Sequence, residues 1–119
     1  MSDVYVFDAS ALTALFRASR PVFRLFMEAD AGRAQLVLPA AAIGEANTYI
    51  QASESAWAPV LMSRAESTPL TEHIAIMIGT WPGDLATRHV VYEAQAVRGD
   101  IVTRERGRYA PWTLPLLEL

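Results

Sequence analysis

Four acids in this chain stand at comparable places beside apolar runs. Asp8 follows "VYVF", Glu45 lies in an alanine-rich stretch after "QLVLP", Asp84 opens "DLATRHVVYEAQAVRG", and Glu105 stands two residues past "DIVT". Carboxylates gathered at one place repel one another and take up protons more readily unless positive charge lies between them. A divalent cation that prefers hard oxygen ligands, magnesium or manganese, is the natural source of that charge. Such an ion polarises a phosphoryl oxygen and activates water. Asp8, Glu45 and Asp84 are the expected metal ligands, and Glu105 the fourth catalytic acid, tuning the site or binding a second ion. Each acid alone has an ordinary explanation: Asp8 and Asp84 as helix N-caps, Glu45 as a plain helix residue, Glu105 as a solvated loop charge. The joint placement is what points to chemistry.

That placement depends on the elements between. "VYVF" predicts a strand, and "SALTALFR" a short helix with Ser10 as its N-cap. Pro21 suits the first turn of a second helix, "PVFRLFMEADAG", whose Val22, Leu25, Phe26 and Ala29 share a face and which Gly32 ends. "QLVLP" predicts a strand followed by the helix "AAAIGEANTYIQAS". A further helix is expected in residues 54–66, broken near Pro59, then a short strand and a helix opening at Thr71. "DLATRHVVYEAQAVRG" is the clearest helix, with Asp84 as N-cap and Gly99 as its stop. "DIVT" is a strand, "RERGRYAPW" a loop, and "TLPLLEL" an edge strand, because Pro115 lacks the ladder donor of a central one. Strands alternating with helices imply a parallel sheet covered on both faces, with ligands beyond the carboxyl ends of the strands. An aspartate at the end of a buried strand then points into that crevice.

Composition bounds the possibilities. The chain has 119 residues, of which 52% are hydrophobic and 19% charged, so a folded single domain over residues 1–119 is expected. There is no cysteine, which excludes a disulfide framework, a thiolate metal site and a cysteine nucleophile, and which fits a reducing, cytoplasmic setting. No apolar run reaches the roughly 20 residues of a membrane span, so no membrane association is expected. A net charge of −3 argues against broad phosphate neutralisation, though not against a local site that holds a strand through metal. All ten basic residues are arginine. A response-regulator-like phosphoacceptor site, which also uses acids at strand ends, would need a lysine late in the chain, and none is present.

Together, "VYVFDASAL", "LPAAAIGEAN", "DLATRHVVYEA" and "DIVTRERGRY" resemble in order and spacing the PIN-domain family, most closely its small single-domain toxin ribonucleases of VapC type. The resemblance spans Val4 to about Leu117. It implies a three-layer α/β/α sandwich around a central, mainly parallel sheet of four to five strands. It also implies a magnesium- or manganese-dependent endoribonuclease, a small antitoxin partner and a homodimer. By position, Asp8 resembles the first metal ligand, Glu45 the second acid, and Glu105 the acid just beyond the fourth strand. Thr103 resembles the polar residue closing that strand. Sixteen positions before Thr103, where the family pattern has an acid, this chain has Thr87, and Asp84 three residues earlier is taken as the third acid. Ser10, Thr103, Arg104, Arg106 and Arg108 are the expected substrate-binding residues; the arginines would contact RNA phosphates and Tyr109 would offer a stacking ring. His89 and Glu93, one helical turn apart, read as a satisfied helical pair. His73 reads as structural or exposed.

Two functions stand open on these residues. One is the ribonuclease, which the presence of Asp8 and Glu45 favours. The other is a catalytically weak or inactive PIN-like interaction module, which Thr87 at the third-acid position favours. Phe23, Phe26, Met27, Trp57 and Met62 would give such a module an apolar groove or dimer surface.

Overall fold

The structure, a computed structural model, describes residues 3–119. In chain order its elements are β1 (Asp3–Phe7), α1 (Ala9–Phe16), α2 (Arg20–Asp30), β2 (Ala34–Pro39), α3 (Ala40–Ile50), α4 (Glu54–Leu61), β3 (Glu66–Thr68), α5 (Glu72–Ile78), α6 (Leu85–Val97), β4 (Asp100–Thr103) and β5 (Leu116–Glu118). A 3-10 turn, Arg106–Tyr109, lies between the last two. The strands form one sheet in the order β3-β2-β1-β4-β5, and every pairing is parallel. Val6 of β1 aligns with Val37 on one side and Ile101 on the other.

The chain steps outward from β1 through β2 to β3, then returns to place β4 on the far side of β1. The helices cover the sheet between these strands: α1 packs against α3, α3 also packs against α6, and α5 lies against α6. The reversal makes the gap between the carboxyl ends of β1 and β4 the switch point of the sheet, where open α/β folds hold ligands. Asp8 directly follows β1 there and Thr103 ends β4.

Val6, Phe7, Leu36, Val37, Leu38, Ile101 and Val102 are all at most 2% exposed. Such unbroken apolar runs belong to strands covered on both faces. The bulk expected at the surface divides. Phe23, Met27 and Met62 are exposed and Phe26 is half-buried, but Trp57 is buried: its ring packs against Phe16, with centroids 4.4 Å apart, and its indole N–H donates to Asn47 Oδ1 at 2.8 Å.

The element ends correct several expectations. Asp8, not Ser10, caps α1: its backbone is extended and its carboxylate accepts the Ala11 N–H at 2.9 Å. A charged acceptor there also answers the positive end of the helix dipole. The α4 helix runs through Pro59 to Leu61 rather than breaking. Gly99 does not supply the left-handed residue after α6; Arg98 does, at φ 54°. Gly99 is required for another reason, since a Cβ there would lie 3.0 Å from a Val4 methyl and 3.1 Å from the Val4 carbonyl. The stretch read as a loop contains the 3-10 turn. The caps at Thr71 and Asp84, the positive φ of Gly32 and the edge position of β5 agree with the sequence.

Candidate acidic site at the carboxyl edge of the sheet

Asp8 is 4% exposed, and both its oxygens are occupied. Oδ1 accepts from the Ser10 hydroxyl at 2.6 Å and from the Ala11 N–H; Oδ2 accepts from the Tyr109 phenol at 2.8 Å. Its backbone N–H reaches the Val102 carbonyl, tying the end of β1 to β4. Ser10 Oγ also accepts the Arg104 N–H at 2.8 Å and lies 3.4 Å from Thr103 Oγ1. A hydroxyl has one hydrogen, and that of Ser10 is spent on Asp8, so Thr103 is the donor in this last contact. Thr103, fully buried, accepts the Glu105 N–H at 2.8 Å. A hydroxyl chain thus runs from the end of β4 to the carboxylate at the end of β1.

The other three acids meet on one side chain. Arg108 Nη1 lies 2.9 and 2.8 Å from the two oxygens of Glu45 and 3.6 Å from Asp84 Oδ2, while its Nε contacts Glu105. The Arg108 and Glu45 side chains are 29% and 22% exposed, so this ion pair is only partly screened by water. Burial works to lower the Arg108 pKa, but the hydrogen bond to Glu45 and the charges of Glu45, Glu105 and Asp84 outweigh it and raise it further above its ordinary value. Asp84 Oδ1 meanwhile caps α6 on the Thr87 N–H at 2.8 Å. Burial opposes ionisation of Asp84, yet the Thr87 N–H and the charges of Arg108 and Arg88 hold its pKa below the usual carboxylate value. Thr87 itself is buried beneath this cap, and the carboxylate that faces the other acids comes from Asp84.

The donor set suits magnesium or manganese in kind, being made of hard oxygens. Arg108, however, holds the space between them. Among the described residues, no three His, Cys, Asp or Glu side chains stand close enough to enclose an ion.

Beside the acids lies a cleft of about 360 Å³, lined by Ser10, Glu45 and Glu105 and also by Thr13, Arg17, Tyr49 and Arg104. Glu45 and Ser10 thus open on one cavity. Thr13, Arg17 and Tyr49 were not singled out from sequence. The signal was available in helical spacing, because Tyr49 is one turn after Glu45 and Arg17 one turn after Thr13. Of the expected phosphate contacts, Arg104 and Arg106 are exposed, Arg104 with its guanidinium 3.5 Å from Ser19 Oγ and Arg106 paired at 3.5 Å with Glu118. Arg108 is instead committed to carboxylates. Tyr109 is no stacking ring: it is 3% exposed and points its hydroxyl at Asp8. His89 is fully buried, and its Nδ1 accepts the Ala41 N–H at 3.3 Å. His73 is exposed.

No protein-family model matches the chain, and no curated protein matches it by sequence. Among solved structures it is similar to VapBC2 from Rickettsia felis bound to a DNA fragment from their promoter, with a TM-score of 0.67 and 11% identity over 98% of both chains. The two share a fold, so the α/β architecture with its parallel five-stranded sheet is PIN-like. No helix among the described residues is long and apolar enough to cross a membrane.

Proposed function

We propose that the chain is a single PIN-like domain of toxin–antitoxin type, a cytoplasmic endoribonuclease that hydrolyses RNA phosphodiesters at Asp8, Glu45, Asp84 and Glu105. One observation supports the reading: Glu45, Asp84 and Glu105, from three separate segments, meet on Arg108, the neighbour in sequence of the Tyr109 that holds Asp8 at the switch point of the sheet, and Glu45 and Glu105 open on a cleft edged with arginine. Asp8, Glu45 and Asp84 are the residues that would hold Mg2+ or Mn2+, and a bound ion would supply polarisation of a phosphoryl oxygen and a more acidic water.

The chain's own groups prepare the rest. The hydroxyls of Ser10, Thr103 and Tyr109 fix the orientation of Asp8. Arg17 and Arg104 offer phosphate contacts along the cleft, and the exposed ring of Tyr49 offers a base a face to stack on. A groove of about 210 Å³ lined by Leu15, Phe16, Phe23, Phe26, Pro59 and Val60 suits an apolar helix of a small antitoxin or of a second copy in a homodimer. The toxin–antitoxin assignment draws support from the fold shared with VapBC2.

A second reading, a PIN-like interaction module without catalysis, is favoured by the arginine seated among the acids. Incubation of the purified protein with labelled single-stranded RNA, in manganese and in chelator, separates the two. The nuclease reading expects cleavage in manganese that chelator abolishes and that Asp8→Asn lowers at least a hundredfold. An intact substrate under all conditions leaves the interaction module.

A further inference from the structure

Arg108 does for Glu45, Asp84 and Glu105 what a metal ion would otherwise do: it places positive charge between acids that would repel one another. While its Nε contacts Glu105, its Nη1 contacts both oxygens of Glu45 at once, at 2.9 and 2.8 Å. Asp84 lies 3.6 Å from the same nitrogen. A dication bound to these two carboxylates would have to share their space with a guanidinium of like charge. We propose that Arg108 is the resident cation of the acidic site and that a divalent metal ion and the Arg108 guanidinium occupy it in mutual exclusion. The inference rests on the reading of Glu45 and Asp84 as metal ligands.

The surroundings decide how the exchange can happen. Arginine does not lose its proton in proteins, so no accessible pH releases it; it leaves only by competition for its partners. Its neighbour Tyr109 is buried and held on Asp8, so the turn backbone is anchored on that side. On the other side, Gly107 is exposed and its Cα faces open space. The movable part is therefore the long arginine side chain itself, 29% exposed and able to swing toward the cleft while Tyr109 stays in place. A dication and a guanidinium held by the same carboxylates repel one another at this range, whereas a dication alone compensates more of the acids' charge than the guanidinium does.

The test is a calorimetric titration with manganese of the wild type, Arg108→Gln and Arg108→Met, each first shown to be folded by circular dichroism and cooperative melting. Two replacements of similar length guard against one of them failing to fold. The expected result is that both variants bind manganese at least tenfold more tightly than the wild type. Equal affinity in wild type and variants, weaker binding in the variants, or no binding in any of the three would each overturn the proposal. RNA cleavage measured on the same samples reports separately on the nuclease reading: tighter manganese binding without cleavage sustains the exchange and removes the catalysis.

Discussion

The Tyr109 phenol donates a 2.8 Å hydrogen bond to Oδ2 of Asp8, joining residues 101 positions apart in sequence. Burial pushes the phenol pKa up, and the charge and hydrogen bond of Asp8 push it the same way, so the hydroxyl keeps its proton and remains a donor. The bond clamps the turn that carries Arg108 to the end of the first strand. Position 109 therefore sets where the guanidinium begins, and Asp8 helps organise the turn that presents Arg108 to the other acids.

Tyr109→Phe removes that donor without changing the packing of the ring. Hydrogen bonds to charged groups contribute about 1.5–3 kcal/mol, so urea unfolding is expected to show a loss in this range with an unchanged slope. A loss below about 0.5 kcal/mol would mean that Asp8 finds another donor, and the clamp would have to be abandoned.

The Asp84 carboxylate has two duties that substitution can separate. Asp84→Ala removes the α6 cap and is expected to cost about 1 kcal/mol, within the usual 0.5–2 for an N-cap. Asp84→Ser keeps a capping oxygen but loses the charge facing Arg108, and stability is expected to fall by a few tenths of a kcal/mol at most. Thermal or denaturant melts check both. Equal losses for the two variants would show that charge, not capping, fixes the start of α6.

His89 gives stability a pH dependence near neutrality. Burial lowers its pKa below the ordinary 6.5, more than the Pro69 carbonyl raises it. The sign follows from proton binding: below its ordinary pKa the unfolded chain binds a proton that the folded chain refuses. The contribution is complete above about pH 6.5 and is lost as pH falls through the depressed folded value. Denaturant midpoints between pH 7.5 and 5.5 are expected to decline for the wild type. His89→Asn, which keeps an acceptor for the Ala41 N–H, is expected to start lower and stay flatter. A wild-type midpoint constant across this window would contradict the assignment.

The sheet, and the places of Asp8 after the first strand and Asp84 before the long helix, were legible because local signals there agree with the tertiary result. "VYVF" and "DIVT" are apolar runs of strand length, Asp84 is followed by a long amphipathic helix, and Thr71 begins another. What stayed hidden depends on distant contacts. Nothing local in "RERGRY" distinguishes Arg108, which turns inward to three acids, from Arg106, which faces solvent. The same stretch reads as polar loop, so the burial of Tyr109 carries no hydrophobic pattern. Trp57 looked like exposed bulk because its partners, Asn47 and Phe16, lie on other helices. Asp8 and Ser10 compete for one cap within three residues, and the extended backbone at Asp8 settles it.

The outermost strands, β3 and β5, are three residues each; Pro69 immediately follows the first and Pro115 immediately precedes the second. Each also carries a glutamate, Glu66 or Glu118. Short, charged borders flanked by residues without an N–H are poor templates for another strand. Neither border invites runaway polymerisation by strand addition, so association with a further polypeptide is left to the faces of the helices.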